Sequence, residues 1–219
     1  MKKHIATIFT LAALTLVTVS CKDKAKEANT TEAKDPVVTQ ATSQKYIADA
    51  TASTVEWKGY KPTGSHNGTI NIENGVFSVN GDKIESGSFL INMNSIVVVD
   101  IPLEEKGNGK LLGHLKGPDF FDVEAHANAA FEITGSTEVE GKTMLSGNLS
   151  IKGIKQNITF PVTVSNRVGN GLTISSETFT IDRTKWDIKY KSKSVFGDIG
   201  DKFINDDIEL KFVVKASKS

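Results

Sequence analysis

The sequence predicts an all-β protein: one antiparallel sheet of about eight strands, with one short helix near residues 108–117, that hides its apolar face by closing into a barrel or splitting into a sandwich. Three observations predict it. From Tyr46 onward, large apolar residues alternate with polar ones over many short runs, the period of half-buried strands. Turn residues separate the runs at hairpin spacing, and one stretch alone shows helical spacing.

The N-terminus comes first in chain order. Met1, Lys2 and Lys3 form a short basic start, and Ile5 to Val19 is free of charge, a run of 15 residues. That is short for a membrane span, which takes roughly 20 residues, and fits the apolar core of a secretory signal peptide over residues 1–20. The only cysteine, Cys21, stands where the run stops, so the chain has no internal disulfide and no thiolate cluster of its own. Val17-Thr18-Val19-Ser20-Cys21 resembles the lipobox of bacterial lipoproteins, with Thr18 where Leu is usual. The resemblance implies that Cys21 is acylated and becomes the first mature residue, anchoring the chain to a membrane. Cys21-Lys22-Asp23 resembles export signals of some Bacteroidota lipoproteins, which implies the outer membrane, on its periplasmic face or at the cell surface. From Lys22 to about Lys45 the only large apolar residues are Val37 and Val38, so residues 21–45 are expected to form a disordered tether.

Residues 46–219 hold ten of the eleven Phe, both Trp and all three Tyr, enough for one sizeable core. Val55 and Trp57 alternate with Glu56 and Lys58; Ile70 and Ile72 with Asn71 and Glu73; Phe131 and Ile133 with Glu132 and Thr134. Leu145, Gly147, Leu149 and Ile151 share one face, as do Ile158, Phe160, Val162 and Val164, then Phe179 and Ile181, then Ile208, Leu210, Phe212 and Val214. Turns are expected at Glu73-Asn74-Gly75, Asn80-Gly81-Asp82, Glu140-Gly141-Lys142 and Gly169-Asn170-Gly171. Leu111, Leu112 and Leu115 lie at helical spacing before Pro118, which places the helix.

Four blocks then stand in a fixed order: Trp57-x-Gly59-x-Lys61-x-x-Gly64-x-His66-x-Gly68; His114-Leu115-Lys116-Gly117-Pro118-Asp119-Phe120-Phe121-Asp122-Val123; Gly147-x-Leu149-x-Ile151-x-Gly153; and Phe179-x-Ile181-Asp182-Arg183-x-x-Trp186. Together they resemble the signatures of the YceI-like polyisoprenoid-binding family. Ala125-His126-Ala127-Asn128 departs from it, standing where the family has an aromatic-Pro pair. The resemblance implies a lipocalin-like antiparallel barrel that carries a long isoprenoid chain inside it, in the bacterial envelope, without catalytic residues.

The residues agree with a carrier. Each buried methylene of an isoprenoid tail is worth roughly 0.8 kcal/mol, so an apolar tube supplies most of the affinity. Trp57, Phe89, Phe131, Phe160, Phe179 and Phe212 are the candidates for its wall; the competing reading is that they fill a solid core. Gly147 is an inward position where a larger side chain narrows the tube. His66 and His114 can donate to a polar headgroup, or tie a loop or helix to the barrel. Arg183 can pair with a phosphate or quinone oxygen, or with the carboxylates of Asp182 and Asp187.

Other chemistries find no support. The chain balances 26 Lys+Arg against 26 Asp+Glu, and loss of Lys2 and Lys3 with the leader leaves the rest two charges negative, which disfavours nucleic acid as a partner. Neither a Gly-x-Ser-x-Gly elbow nor a His-Glu-x-x-His pair is present, and Gly141-Lys142-Thr143 lacks the first Gly of a phosphate loop, with Ser136 in its place. No cofactor or metal site is expected. Three classes remain: a lipid-binding module, an enzyme acting on an amphiphile with His66 or His114 as base, and a surface interaction protein with a solid barrel.

Overall fold

The computed structural model describes residues 25–166, 169–197 and 199–219. The expected signal peptide and the expected acylation site at Cys21 lie outside the described residues. In chain order the strands are β1 (Lys26–Glu27), β2 (Asn29–Glu32), β3 (Gln44–Ala48), β4 (Thr54–Lys61), β5 (Gly64–Asn80) and β6 (Lys83–Val98). Helix α1 (Lys106–Lys116) follows, then β7 (Asn128–Val139), β8 (Lys142–Ile151), β9 (Ile154–Asn166), β10 (Gly171–Ser176), β11 (Phe179–Asp182), the single-turn helix α2 (Lys193–Phe196) and β12 (Asp207–Lys218).

Eight strands close a ring: β4, β5, β6, β7, β8, β9, β10 and β12, the last returning to β4. The sheet is antiparallel apart from the β1–β11 contact. The ring is uneven because two of its walls are interrupted. β12 pairs β11 near its start and β10 near its end, while on its other edge it pairs β4 over Ile208–Val213 and β3 over Ala216–Lys218. Alternation explains the inside: Ile70, Ile72, Ile133, Leu145, Ile158, Phe160, Ile174 and Ile181 are all buried, while Glu56 is exposed.

The expected turns divide into two kinds. Asn80-Gly81 and Glu140-Gly141 do turn the chain, with Gly81, Glu140 and Gly141 at φ of 59°, 51° and 74°, the left-handed conformation that a tight hairpin demands. Glu73-Asn74-Gly75 does not. It lies inside β5, where the register with β6 shifts between Ile72 and Asn74, so its turn residues serve a bulge that lets a 17-residue strand coil around the barrel. Of Gly169-Asn170-Gly171, the first two residues form a bend before β10; residues 167 and 168 of the same connection are not described.

Helix α1 extends two residues further toward the N-terminus than its leucine spacing predicts and ends against Gly117, whose amide donates to the His114 carbonyl at 3.2 Å. Buried Asn108 fastens it to the barrel by donating to the carbonyls of Val98 (3.1 Å) and Ile101 (2.7 Å). In the segment that departs from the family pattern, the Ala127 carbonyl accepts from Met93 N at 2.9 Å, which leads the chain into β7 beside β6.

The expected tether is corrected over residues 26–45. β1 pairs β11, β2 pairs β9, β3 pairs both β5 and β12, and Ala28 is 3% exposed. The physical reason is that docking here uses backbone and amide groups rather than an apolar stripe. The Asn148 side chain accepts from Lys34 N (3.0 Å) and donates to Lys34 O (2.6 Å), as a strand neighbour would. Farther on, buried Glu85 accepts from Gln40 N and the Ser43 hydroxyl. The Ser43 hydroxyl, outweighing burial and aided by Gln40 and Asn80, holds that carboxyl below its ordinary range.

Candidate functional site

The barrel is hollow. An outer chamber of about 220 Å³ lies at the α1 end, and an inner chamber of about 70 Å³ continues beneath it. Val55, Ile91, Leu149 and Leu210 line both, so the two chambers are stacked neighbours that share these four residues as a common boundary. Strand alternation supplies the walls, and α1 with the turn after it supplies the lid through Leu111, Leu115, Phe120 and Phe121.

All six aromatic candidates line these chambers. Trp57 is in the outer chamber, and Phe89, Phe131, Phe160, Phe179 and Phe212 surround the inner one. Phe160 is the hub: its ring centroid lies 4.3 Å from Phe179 in a parallel stack, 5.4 Å from Phe212 edge-on and 5.7 Å from Phe131. Gly147 is inward as expected, yet a Cβ there would stand 2.3 Å from Phe131 Cζ and 2.8 Å from the Glu132 carbonyl, so no larger side chain fits without moving the sheet.

The polar candidates separate. His66 lines the outer chamber, and its Nδ1 contacts Asp100 Oδ2 at 2.8 Å, a pairing that fixes the ring at the rim. Asp100 also accepts from Asn67 N at 2.9 Å; burial works against its ionisation, but the Asn67 amide and His66 outweigh this and hold the carboxyl below its ordinary range. His114 is not in the cavity wall. Its ring packs edge-on against Phe120 (5.0 Å) and Tyr190 (4.6 Å), tying α1 to the loop that closes the same end of the barrel.

Arg183 borders the outer chamber, but its guanidinium is committed to the protein. Nε donates to Asn205 O (3.0 Å), Nη1 to Ile188 O (2.6 Å), and Nη2 to Ile204 O (3.0 Å) and Asp206 Oδ1 (3.4 Å). The ion pair expected with Asp182 or Asp187 is made instead with Asp206, which the 189–206 loop brings from a distant part of the sequence. Asp187 pairs with Lys189. Burial lowers the Arg183 pKa and Asp206 and Asp182 oppose that, while Asp206 itself, penalised by burial, is held low by Ser192, Ser194 and Arg183.

Sequence reasoning missed the rest of the rim: Tyr60, Lys61 and Asn205. Asn205 N donates to Tyr60 O at 2.9 Å across two segments far apart in sequence, a closure that no local pattern signals. Trp57 Nε1 is buried without a hydrogen-bond partner among the described residues, a polar atom left over in an otherwise apolar wall. Among the described residues, no Ser, Thr or Cys lines either chamber, and no group of three or more His, Cys, Asp or Glu is placed to hold a metal ion. No helix among the described residues is long and apolar enough to cross a membrane.

An uneven eight-stranded ring around apolar chambers capped by a short helix defines a lipocalin-like barrel. The chain belongs to the YceI-like domain family, whose model matches residues 46–216. Its fold is similar to that of Burkholderia cenocepacia BcnA, with a TM-score of 0.60 and 21% identity over 78% of this chain and 99% of that one. It is also similar to a domain from Saccharophagus degradans described as a polyisoprenoid binding domain implicated in plant cell wall breakdown, with a TM-score of 0.56 and 14% identity over 80% of this chain and 98% of that one. A UPF0312 protein of Azotobacter vinelandii is 29% identical over 106 residues, 48% of this chain and 50% of that protein, so the match spans about half of each.

Proposed function

We propose that this protein is a lipid-anchored carrier of the bacterial envelope that holds the tail of a long-chain isoprenoid, a polyprenyl lipid or an isoprenoid quinone, inside its barrel. The observation that carries the reading is the pair of adjoining, largely apolar chambers inside the barrel, one reaching the His66 rim and the other walled by Phe131, Phe160, Phe179 and Phe212. Burying about ten methylene equivalents there is worth roughly 8 kcal/mol, a micromolar affinity before ordering costs are subtracted. Membership in the YceI-like family and the description of the Saccharophagus degradans domain support the same ligand class. The chamber lining is mainly aliphatic and aromatic, which favours binding of an apolar tail.

In this reading the tail lies toward the phenylalanines and the polar end of the ligand lies at the His66 rim. Cys21 carries the thioether lipid and holds the barrel at the outer membrane. The test is mass spectrometry of lipid extracted from the purified protein, followed by titration of the stripped protein with isoprenoid quinone, read by quenching of Trp fluorescence. A copurifying isoprenoid and saturable quenching are expected. An extract without isoprenoid together with a flat titration overturns the reading.

A further inference from the structure

The ring has two stretches that its own eight strands do not close: β3 fills the one between β5 and β12, and the other lies between β9 and β12. β9 pairs β10 over Val162–Asn166, and beyond that β11 takes over from β10 without pairing β9. The gap is filled by the N-terminal segment. Lys26 and Glu27 pair in parallel with Phe179 and Thr180 of β11, Ala28 N donates to Thr180 O at 2.8 Å, and Asn29–Glu32 pair antiparallel with Gln156–Thr159 of β9. Ala28 is buried in the core at this seam.

The strands on either side of the seam bear the cavity wall. Ile158 and Phe160 of β9 and Phe179 of β11 line the inner chamber, Ile181 of β11 lines the outer one, and the stacked Phe160–Phe179 pair bridges the two strands. The insert's hold is slight compared with the long ladders elsewhere: a two-residue parallel contact, a four-residue antiparallel one and an exposed Glu27–Lys185 ion pair at 3.3 Å. Just beyond it, the double hydrogen bond of Lys34 with Asn148 pins the chain and makes a hinge.

Two further facts give the insert a purpose. The chambers, of about 220 and 70 Å³, together fall just short of the roughly 300 Å³ at which cavities begin to hold drug-sized ligands, so a tail of many isoprene units needs more room than the closed barrel offers, and a yielding wall would supply it. Lys26 is five residues after Cys21, a reach of at most about 18 Å, so an anchor at Cys21 keeps the insert beside the bilayer. The geometry points to Lys26–Glu32 as a displaceable wall panel that swings off β9 and β11 and lets a long-chain lipid pass sideways from a lipid surface into the barrel. The inference rests on the carrier reading above and adds the route.

The panel can be locked. Asn29 and Thr159 are direct partners across the antiparallel pairing, a separation that a disulfide spans, and neither is buried. The full-length chain carrying Asn29→Cys and Thr159→Cys is mixed with phosphatidylethanolamine–phosphatidylglycerol vesicles containing octaprenyl ubiquinone, and Trp quenching is followed in time. The oxidised form should load at least about tenfold more slowly than the reduced form, with reductant restoring the rate and final occupancy unchanged. A second variant works in the opposite sense. Ala28→Lys cannot keep its charge in the buried seam, so it undocks the panel and speeds exchange. Equal loading rates for oxidised and reduced protein, or no acceleration in Ala28→Lys, with normal wild-type uptake, overturn the panel alone. A wild-type protein that takes up nothing overturns the carrier reading and the panel with it.

Discussion

Gly59→Leu is the substitution that best separates a filled core from a binding tube. Gly59 lines the outer chamber beside the rim, and a Cβ built on it meets nothing within 4 Å. A leucine there adds four carbons to the cavity and excludes about as many methylene equivalents of ligand. At roughly 0.8 kcal/mol each this is up to about 3 kcal/mol, about two orders of magnitude in Kd. The fold should not suffer, since an apolar side chain enters empty space and a strand glycine is removed. The assay is quinone titration by Trp fluorescence, with thermal melting alongside. A Kd within about threefold of wild type, in a protein that melts at or above the wild-type temperature, refutes the claim that the tail occupies this chamber. Gly147→Leu is no substitute, because Phe131 and the Glu132 carbonyl already occupy the space and a loss of binding there would report damage to the sheet.

Other outcomes follow from the same contacts. Arg183→Lys loses the fork that bonds three backbone carbonyls and Asp206, so stability should fall by on the order of 3 kcal/mol in denaturant melts while the folded fraction keeps its ligand affinity; selective loss of affinity would instead make Arg183 a headgroup ligand. Asp100 and Asp206 have folded pKa values below their ordinary range, so their contribution is complete above about pH 4 and is lost as pH falls through the depressed values; Asp206→Asn should flatten the acid limb of a Tm-against-pH curve, and an unchanged limb contradicts this. Deleting Lys26–Glu32 should cost about 2 kcal/mol, a Tm drop of about 4–8 °C, where a free tether would show none. Cys21→Ala should move the protein out of the membrane fraction or block its processing, and an unchanged fraction would end the anchor reading.

The walls were legible because they obey a local rule. Period-two alternation through Val55 and Trp57, Ile158 and Phe160, or Leu210 and Phe212 assigns each side chain to a face before any partner strand is known. Alternation reports burial and not emptiness, so it did not decide between a tube and a solid core for the same phenylalanines. The site's closure was illegible for a different reason. The Arg183 carbonyl partners at 188, 204 and 205, and the Asn205–Tyr60 contact at the rim, join segments whose proximity exists only after the barrel closes. The N-terminal insert offered still less to read, since Ala28 is its one buried apolar residue and it is otherwise held by backbone hydrogen bonds available to almost any sequence and by the exposed Glu27–Lys185 pair.

That weak sequence signal and the proposed role have one physical origin. A carrier that buries a tail worth roughly 8 kcal/mol must still load and release it, which a ring of long antiparallel ladders opposes. If the insert is held by about 2 kcal/mol, it is detached about 3% of the time while the rest of the barrel stays folded. A more hydrophobic insert, one that would have been recognisable as a strand, would lower that population tenfold for every 1.4 kcal/mol of added burial. The insert's small apolar content is therefore what a side entrance to the cavity requires, and its stability and the ligand's exchange rate should move together when Ala28 or its neighbours are changed.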